Sequence, residues 1–174
     1  MKRIVIVVAP ENFRDSEYIV PYSFWKQFGA SVNPSCSEKT AVGRFGYRVE
    51  IDLLLSEVRE EDFDALFFVG GGGSLSYESD PHAKTLTESF VRAQKPVGAI
   101  CAAPQNLLKW GLLSGKKCTG YNVDGVFEKM CAEYGAEYVH AHTITDGLFC
   151  TSSGPLATEE TAIAFWNLIS NKEV

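Results

Sequence analysis

Basic charge is scarce in this chain: 16 Lys and Arg stand against 22 Asp and Glu, a formal net charge of −6. Binding a nucleic-acid backbone takes a clustered basic surface, so that class of partner is set aside. Long apolar runs are missing too. The run Ile4-Val5-Ile6-Val7-Val8-Ala9 falls far short of the roughly 20 residues of a membrane span and is closed by Pro10, Glu11 and Arg14, so no membrane partner is expected. No CxxC pair occurs among the five cysteines, an odd number that suits free thiols in a reducing cytoplasm better than a disulfide framework. Repeats and low-complexity segments are absent. With 45% hydrophobic and 22% charged residues, 174 residues suffice for one globular domain with a substantial core.

Strand-length apolar runs at 4–9, 65–69 and 97–101 alternate with longer amphipathic stretches, the pattern of parallel strands joined by crossover helices, so the fold class is α/β. Asp15-Ser16 can cap a first helix, with Pro21 distorting its start, and Asp80-Pro81 opens a second. A third begins at Ala103-Pro104 and stops at Gly111; a fourth runs from about Asp124 to Tyr134 before Gly135. Asp146-Gly147 predicts a two-residue hairpin between strands at 138–145 and 148–151, and Thr158-Glu159-Glu160 opens a last helix. The stretch 40–54 alternates polar and apolar, which predicts short, partly exposed strands.

Lys95-Pro96-Val97-Gly98-Ala99-Ile100-Cys101-Ala102-Ala103-Pro104 carries the most information, because a buried strand runs straight into small residues and a helix start. That pattern resembles a nucleophile elbow, in which small neighbours tolerate a strained turn that pushes the nucleophile out at a strand end. The following helix start should lower the thiol pKa. Local spacing alone leaves a second reading open, that Cys101 is a packed core thiol. Glu17, in a helix's first turn, reads on its own as a macrodipole acid. Gly70-Gly71-Gly72-Gly73-Ser74 follows a strand, yet Leu75 stands at the sixth position of a GxGxxG count and no Gly-Lys-Ser/Thr follows, so no phosphate loop and no cofactor are expected.

Four segments in order carry a resemblance over nearly the whole chain: Phe13-Arg14-Asp15-Ser16-Glu17-Tyr18-Ile19-Val20-Pro21, Asp64-Ala65-Leu66-Phe67-Phe68-Val69-Gly70-Gly71, Ala99-Ile100-Cys101-Ala102-Ala103-Pro104, and Asp146-Gly147-Leu148 with Thr151-Ser152-Ser153-Gly154-Pro155. The chain resembles the ThiJ/PfpI superfamily, which includes the Parkinson-disease-associated protein deglycase family and the PfpI intracellular protease family. The resemblance implies a single class I glutamine-amidotransferase-like domain over residues 1–174, with a flavodoxin-like three-layer sandwich, a mainly parallel sheet and a homodimeric assembly. It also implies that Cys101 is the reactive cysteine and that Glu17 is the carboxylate beside it, protonated and hydrogen-bonded to a thiolate. Gly70 and Gly71 with Ala102 then supply oxyanion and substrate contacts, the Gly71 and Ala102 N–H groups facing the sulfur.

The sequence departs from the family's pattern in two places. Family peptidases place a histidine directly after the cysteine, where this chain has Ala102; deglycase-type members often have a histidine twenty residues after it, where this chain has Tyr121. A phenol with a pKa near 10 can orient a substrate but is a poor base at neutral pH. The histidines are His82, read as solvated, and His140 and His142, which would share one strand face; without a third ligand nearby, no metal site is read. Cys36, Cys118, Cys131 and Cys150 read as structural, and Trp25, Trp110 and Trp166 as core. The leading expectation is a weak enzyme of the glyoxalase or deglycase type acting on a small-molecule carbonyl substrate. The alternatives are an oxidative-stress sensor or chaperone acting through Cys101 oxidation, and a cysteine peptidase or amidase.

Overall fold

The structure is a computed structural model, and residues 1–170 are described. In chain order the elements are β1 (Arg3–Val7), β2 (Glu11–Phe13), α1 (Asp15–Gln27), β3 (Ser31–Cys36), β4 (Thr40–Gly43), β5 (Arg48–Glu50), β6 (Leu53–Leu54) and β7 (Ala65–Phe68). These are followed by α2 (Pro81–Arg92), β8 (Val97–Ile100), α3 (Pro104–Lys109), β9 (Lys117–Cys118), α4 (Val126–Glu133), β10 (Glu137–Tyr138), β11 (Thr143–Asp146), β12 (Phe149–Ser152) and α5 (Thr158–Ser170).

Seven strands form the main sheet in the order β11-β12-β8-β7-β1-β3-β6. All neighbours pair in parallel except β11 with β12. The predicted α/β class and mainly parallel sheet are therefore present. The central strands are buried on both faces, which is why β1, β7 and β8 read as unbroken apolar runs rather than as alternating ones. Successive residues of β7 show the layering directly. Phe67 packs with Trp25 of α1 and Phe165 of α5, while Phe68 packs with Tyr77 and Trp110. Trp25 and Trp110 are thus core as expected, whereas Trp166 is only half-buried.

The chain leaves β1 towards β3 on one side and reaches β7, β8 and β12 on the other. The order in which strands are added therefore reverses between β1 and β7, the place where open α/β sheets present a crevice at their carboxyl ends. The segments that follow β1, β7 and β8 carry Glu17, Gly70-Gly71 and Cys101.

Several local expectations change. Asp15 does not cap α1: it lies inside the helix, and its carboxylate accepts the N–H groups of Phe45 and Tyr47 at 3.0 and 2.9 Å, tying down the β4–β5 hairpin. Helix α1 continues through Pro21, which is buried, because the one N–H that Pro21 lacks would have served only the Glu17 carbonyl. The hairpin turn is Gly147-Leu148, one residue later than predicted, since Asp146 pairs with Phe149 and the positive φ falls on Gly147. The strand predicted at 138–145 is broken: β10 pairs with β9 in a separate two-stranded sheet, and 139–142 is irregular. The other terminators hold, with Asp80 accepting from His82 and Ala83 N–H and with Gly111 and Gly135 at positive φ.

Candidate active site

Cys101 follows β8 with φ +63, a left-handed conformation that a non-glycine residue holds only when its surroundings fix it. Both of its peptide groups are pinned. Its N–H donates to Ser152 O at 2.8 Å, and its carbonyl accepts from Tyr121 N–H at 2.8 Å. The strained turn anticipated from the sequence is therefore built by β12 and the segment after β9 holding the residue from either side. The residue is 9% exposed.

Glu17 is fully buried. Its carboxyl meets the Cys101 thiol and the Gly70 N–H, but these contacts fall short of well-aligned hydrogen bonds, so both oxygens stay under-bonded. Burial pushes its pKa up to about 7, against the opposing pull of Cys101, the Arg14 guanidinium and Gly70 N–H. The thiol behaves differently from the expectation of a lowered pKa. Burial, and next the charge of Glu17, push Cys101 up to about 12, more than the Gly71 and Ala102 N–H groups pull it down. Helix α3 begins only at Pro104 and is six residues long, so its dipole does little against desolvation. At neutral pH the pair therefore rests as a thiol beside a carboxyl that is part ionised, in place of a thiolate beside an acid.

The glycine turn after β7 is shaped by close approach. A Cβ at Gly70 would stand 2.3 Å from Ile100 O, 2.5 Å from Glu17 Oε2 and 2.6 Å from Cys101 Cβ. Gly71 has φ +96 and lies against Asn12 O and Arg14 N. Its N–H points at the sulfur because the carbonyl of the same peptide, Gly70 O, accepts from Arg14 N–H at 3.0 Å on the far side. The next peptide is fixed as well. Ser74 Oγ donates to Gly71 O at 2.8 Å, and Asn106 Nδ2 donates to Ser74 O at 2.8 Å. Ser74 and Asn106, both buried, were not singled out from the sequence. The serine closing the glycine run was the available signal; Asn106 carried none.

Tyr121 is 40% exposed and lines an open cavity of about 470 Å³ together with Asn122, Tyr138, His140, His142 and Gly154. Gly154 also borders the sulfur: a Cβ built there would lie 3.8 Å from Cys101 Sγ. His140 and His142 do not share a strand face, yet the irregular segment brings both to this cavity, with Tyr138 Oη 3.4 Å from His140 Nδ1. His82 is exposed at the start of α2. Among the described residues, no group of three or more His, Cys, Asp or Glu is placed to hold a metal ion.

A buried carboxyl on the segment after β1, a strained cysteine after β8 and a glycine turn between them form one constellation, and the DJ-1/PfpI family matches residues 2–168. The chain belongs to this family. It is 34% identical over 152 residues to the deglycase PH1704 of Pyrococcus horikoshii, covering 87% of this chain and 90% of that protein. It is also 34% identical over 157 residues to the putative cysteine protease YraA of Bacillus subtilis, covering 89% and 91%. A ThiJ/PfpI domain protein of Brachyspira murdochii has the same fold, with a TM-score of 0.91 at 26% identity over 97% of this chain and 96% of that one. Within the family, Ala102 and Tyr121 leave the two positions discussed above without imidazole, and the histidines that do lie nearby reach the cavity from 139–142.

Proposed function

We propose that this protein is a cysteine-dependent enzyme acting on small reactive carbonyls, of the glyoxalase or deglycase type. The observation that carries the reading is the Glu17 carboxyl, buried against the Cys101 thiol with a pKa of about 7, where a general base is most effective at neutral pH. The sulfur adds to the aldehyde carbon of a 2-oxoaldehyde while the thiol proton passes to Glu17 and on to the carbonyl oxygen, giving a hemithioacetal. Gly71 and Ala102 N–H groups stabilise the developing oxyanion. Glu17 then takes the proton from the hemithioacetal carbon and returns it to the neighbouring carbonyl carbon, while the hemithioacetal hydroxyl proton passes to the neighbouring oxygen through an enediol, leaving a 2-hydroxy thioester. Water cleaves it, releasing a 2-hydroxy acid and the thiol. Tyr121 orients the substrate from the cavity side, beside Gly70 and Gly71.

The deglycase-named relative supports this chemistry, and the protease-named one keeps acyl transfer in view. Ala102 removes the imidazole that a peptidase would place next to the sulfur. We further propose that residues 1–174 act as one domain, in the cytoplasm and as a homodimer. Among the described residues no helix is long and apolar enough to cross a membrane. The test is conversion of methylglyoxal to lactate by the purified protein beside Cys101→Ser and Glu17→Ala. Turnover lost in both variants is the expected result; no turnover in the parent protein would overturn the reading and leave Cys101 oxidation as the better account.

A further inference from the structure

Away from the candidate site, two more thiols meet. Cys118 in β9 and Cys131 in α4 lie with their sulfurs 3.5 Å apart, both fully buried and both free. We propose that they form a reversible disulfide on exposure to a hydroperoxide, a second oxidation site separate from Cys101.

The sulfurs are already in van der Waals contact, so bond formation asks for a shift of about 1.5 Å, to the usual S–S length near 2.05 Å. Helix α4 can supply that movement: it has eight residues and buries only Phe127 and Cys131, with Met130 half-buried against the core and its other side chains exposed. Short elements with few buried contacts open at low free-energy cost, and such opening is also what admits the oxidant. Either thiol can donate in this contact, so either sulfur can carry the thiolate beside the other's S–H. The sulfur that meets the peroxide takes one oxygen, giving a sulfenic acid and releasing water or an alcohol. The other sulfur then attacks it, the S–O bond breaks, and a water leaves as the disulfide forms. Two thiols lose two electrons and two protons, and the hydroperoxide accepts both.

The loop closed by this bond, 118–131, contains Tyr121 and Asn122 of the cavity wall, and Tyr121 N–H holds the Cys101 carbonyl. Oxidation would therefore stiffen the segment that supports the strained cysteine, whatever reaction Cys101 carries out.

The experiment treats folded, fully reduced Cys101→Ser protein with hydrogen peroxide, then measures intact mass and maps peptides without reduction. A mass loss of 2 Da, a peptide linking Cys118 to Cys131, and return to the starting mass with dithiothreitol are expected; Cys131→Ser should give no linked peptide. The linked peptide from the chain with both cysteines is itself the readout, so the proposal can fail even if Cys131→Ser does not fold. It is overturned if no link forms at peroxide levels that oxidise Cys101 in the parent protein, or if the link appears only after the protein is unfolded in urea.

Discussion

Replacing Glu17 by Gln keeps the shape of a fully buried side chain and removes its charge, so the two proteins should differ in how stability depends on pH. In the folded protein the Glu17 pKa is raised from 4.5 to about 7, so between these values the folded state holds a proton that the unfolded chain has lost. Stability then falls as pH rises: the contribution of this group is complete below pH 4.5 and gone above pH 7. At 1.36 kcal/mol per unit, the loss over that window is about 3 kcal/mol. Other carboxylates titrate in both proteins and cancel in the difference. Urea unfolding at intervals from pH 4.5 to pH 7.5 should show Glu17→Gln gaining about 3 kcal/mol on the parent protein, with no further change above that range. A difference that stays flat across the window would mean that Glu17 is not held protonated by burial, and the base assigned to the candidate site would be lost with it.

The same substitution should act on the thiol in the opposite sense to its effect on turnover. Removing a neighbouring negative charge, the second cause of the raised Cys101 pKa, should lower it and speed iodoacetamide alkylation severalfold at pH 8.5, as carbonyl turnover falls; equal or slower alkylation would show that the carboxyl does not act on the sulfur. Gly70→Ala drives a methyl group into Ile100 O, Glu17 and Cys101 and should cost about 2–3 kcal/mol in urea unfolding while abolishing turnover, the signature of overpacking at a backbone contact. Ser74→Ala removes the hydroxyl hydrogen bond to Gly71 O, worth about 1 kcal/mol, and leaves that carbonyl only the Ser74 N–H; it should slow Cys101 alkylation about fivefold at fixed pH, with Ser74→Thr restoring it. Unchanged alkylation in Ser74→Ala would remove the positioning role and leave only a stability effect.

The parts of the fold that were legible in the sequence are those whose burial is complete. The runs that became β1, β7 and β8 are apolar because both faces are covered, and Asp80, Gly111 and Gly135 mark helix ends because their chemistry is local. Strand β3 escaped notice: Ser31, Asn33, Pro34 and Ser35 give it no apolar signal, and it is held by pairing with β1. Asp15 was misassigned because a carboxylate at a helix start normally caps it, and only the tertiary approach of the β4–β5 hairpin gives it other donors. Cys101 draws attention because an elbow constrains its own neighbours, although local spacing equally fits a packed core thiol. Glu17 is singled out only by family resemblance, since nothing local distinguishes a buried carboxyl from a solvated one. The Ser74 and Asn106 relay was not legible, because its meaning lies in the peptide it orients.

Burial raises both members of the Glu17–Cys101 pair, which bears on how the sulfur would become a nucleophile at all. A thiol raised to about 12 holds almost no thiolate at neutral pH on its own. That state, however, is one in which part of the resistance comes from the charged carboxylate beside it. When the proton crosses from sulfur to Glu17 the pair carries the same single charge as before, and the thiolate that results faces a neutral acid instead of a carboxylate. The Gly71 and Ala102 N–H groups then stabilise the charge on sulfur, and afterwards on the oxygen of the adduct. On this account Cys101 is quiet until an electrophile is in place, because bond formation carries the charge from sulfur onto the adduct oxygen, where the N–H groups meet it until the Glu17 proton neutralises it. A resting thiolate would instead be exposed to every oxidant that reached the cavity. Slow oxidation of Cys101 together with carbonyl turnover governed by a group titrating near 7 is therefore the combination this geometry favours.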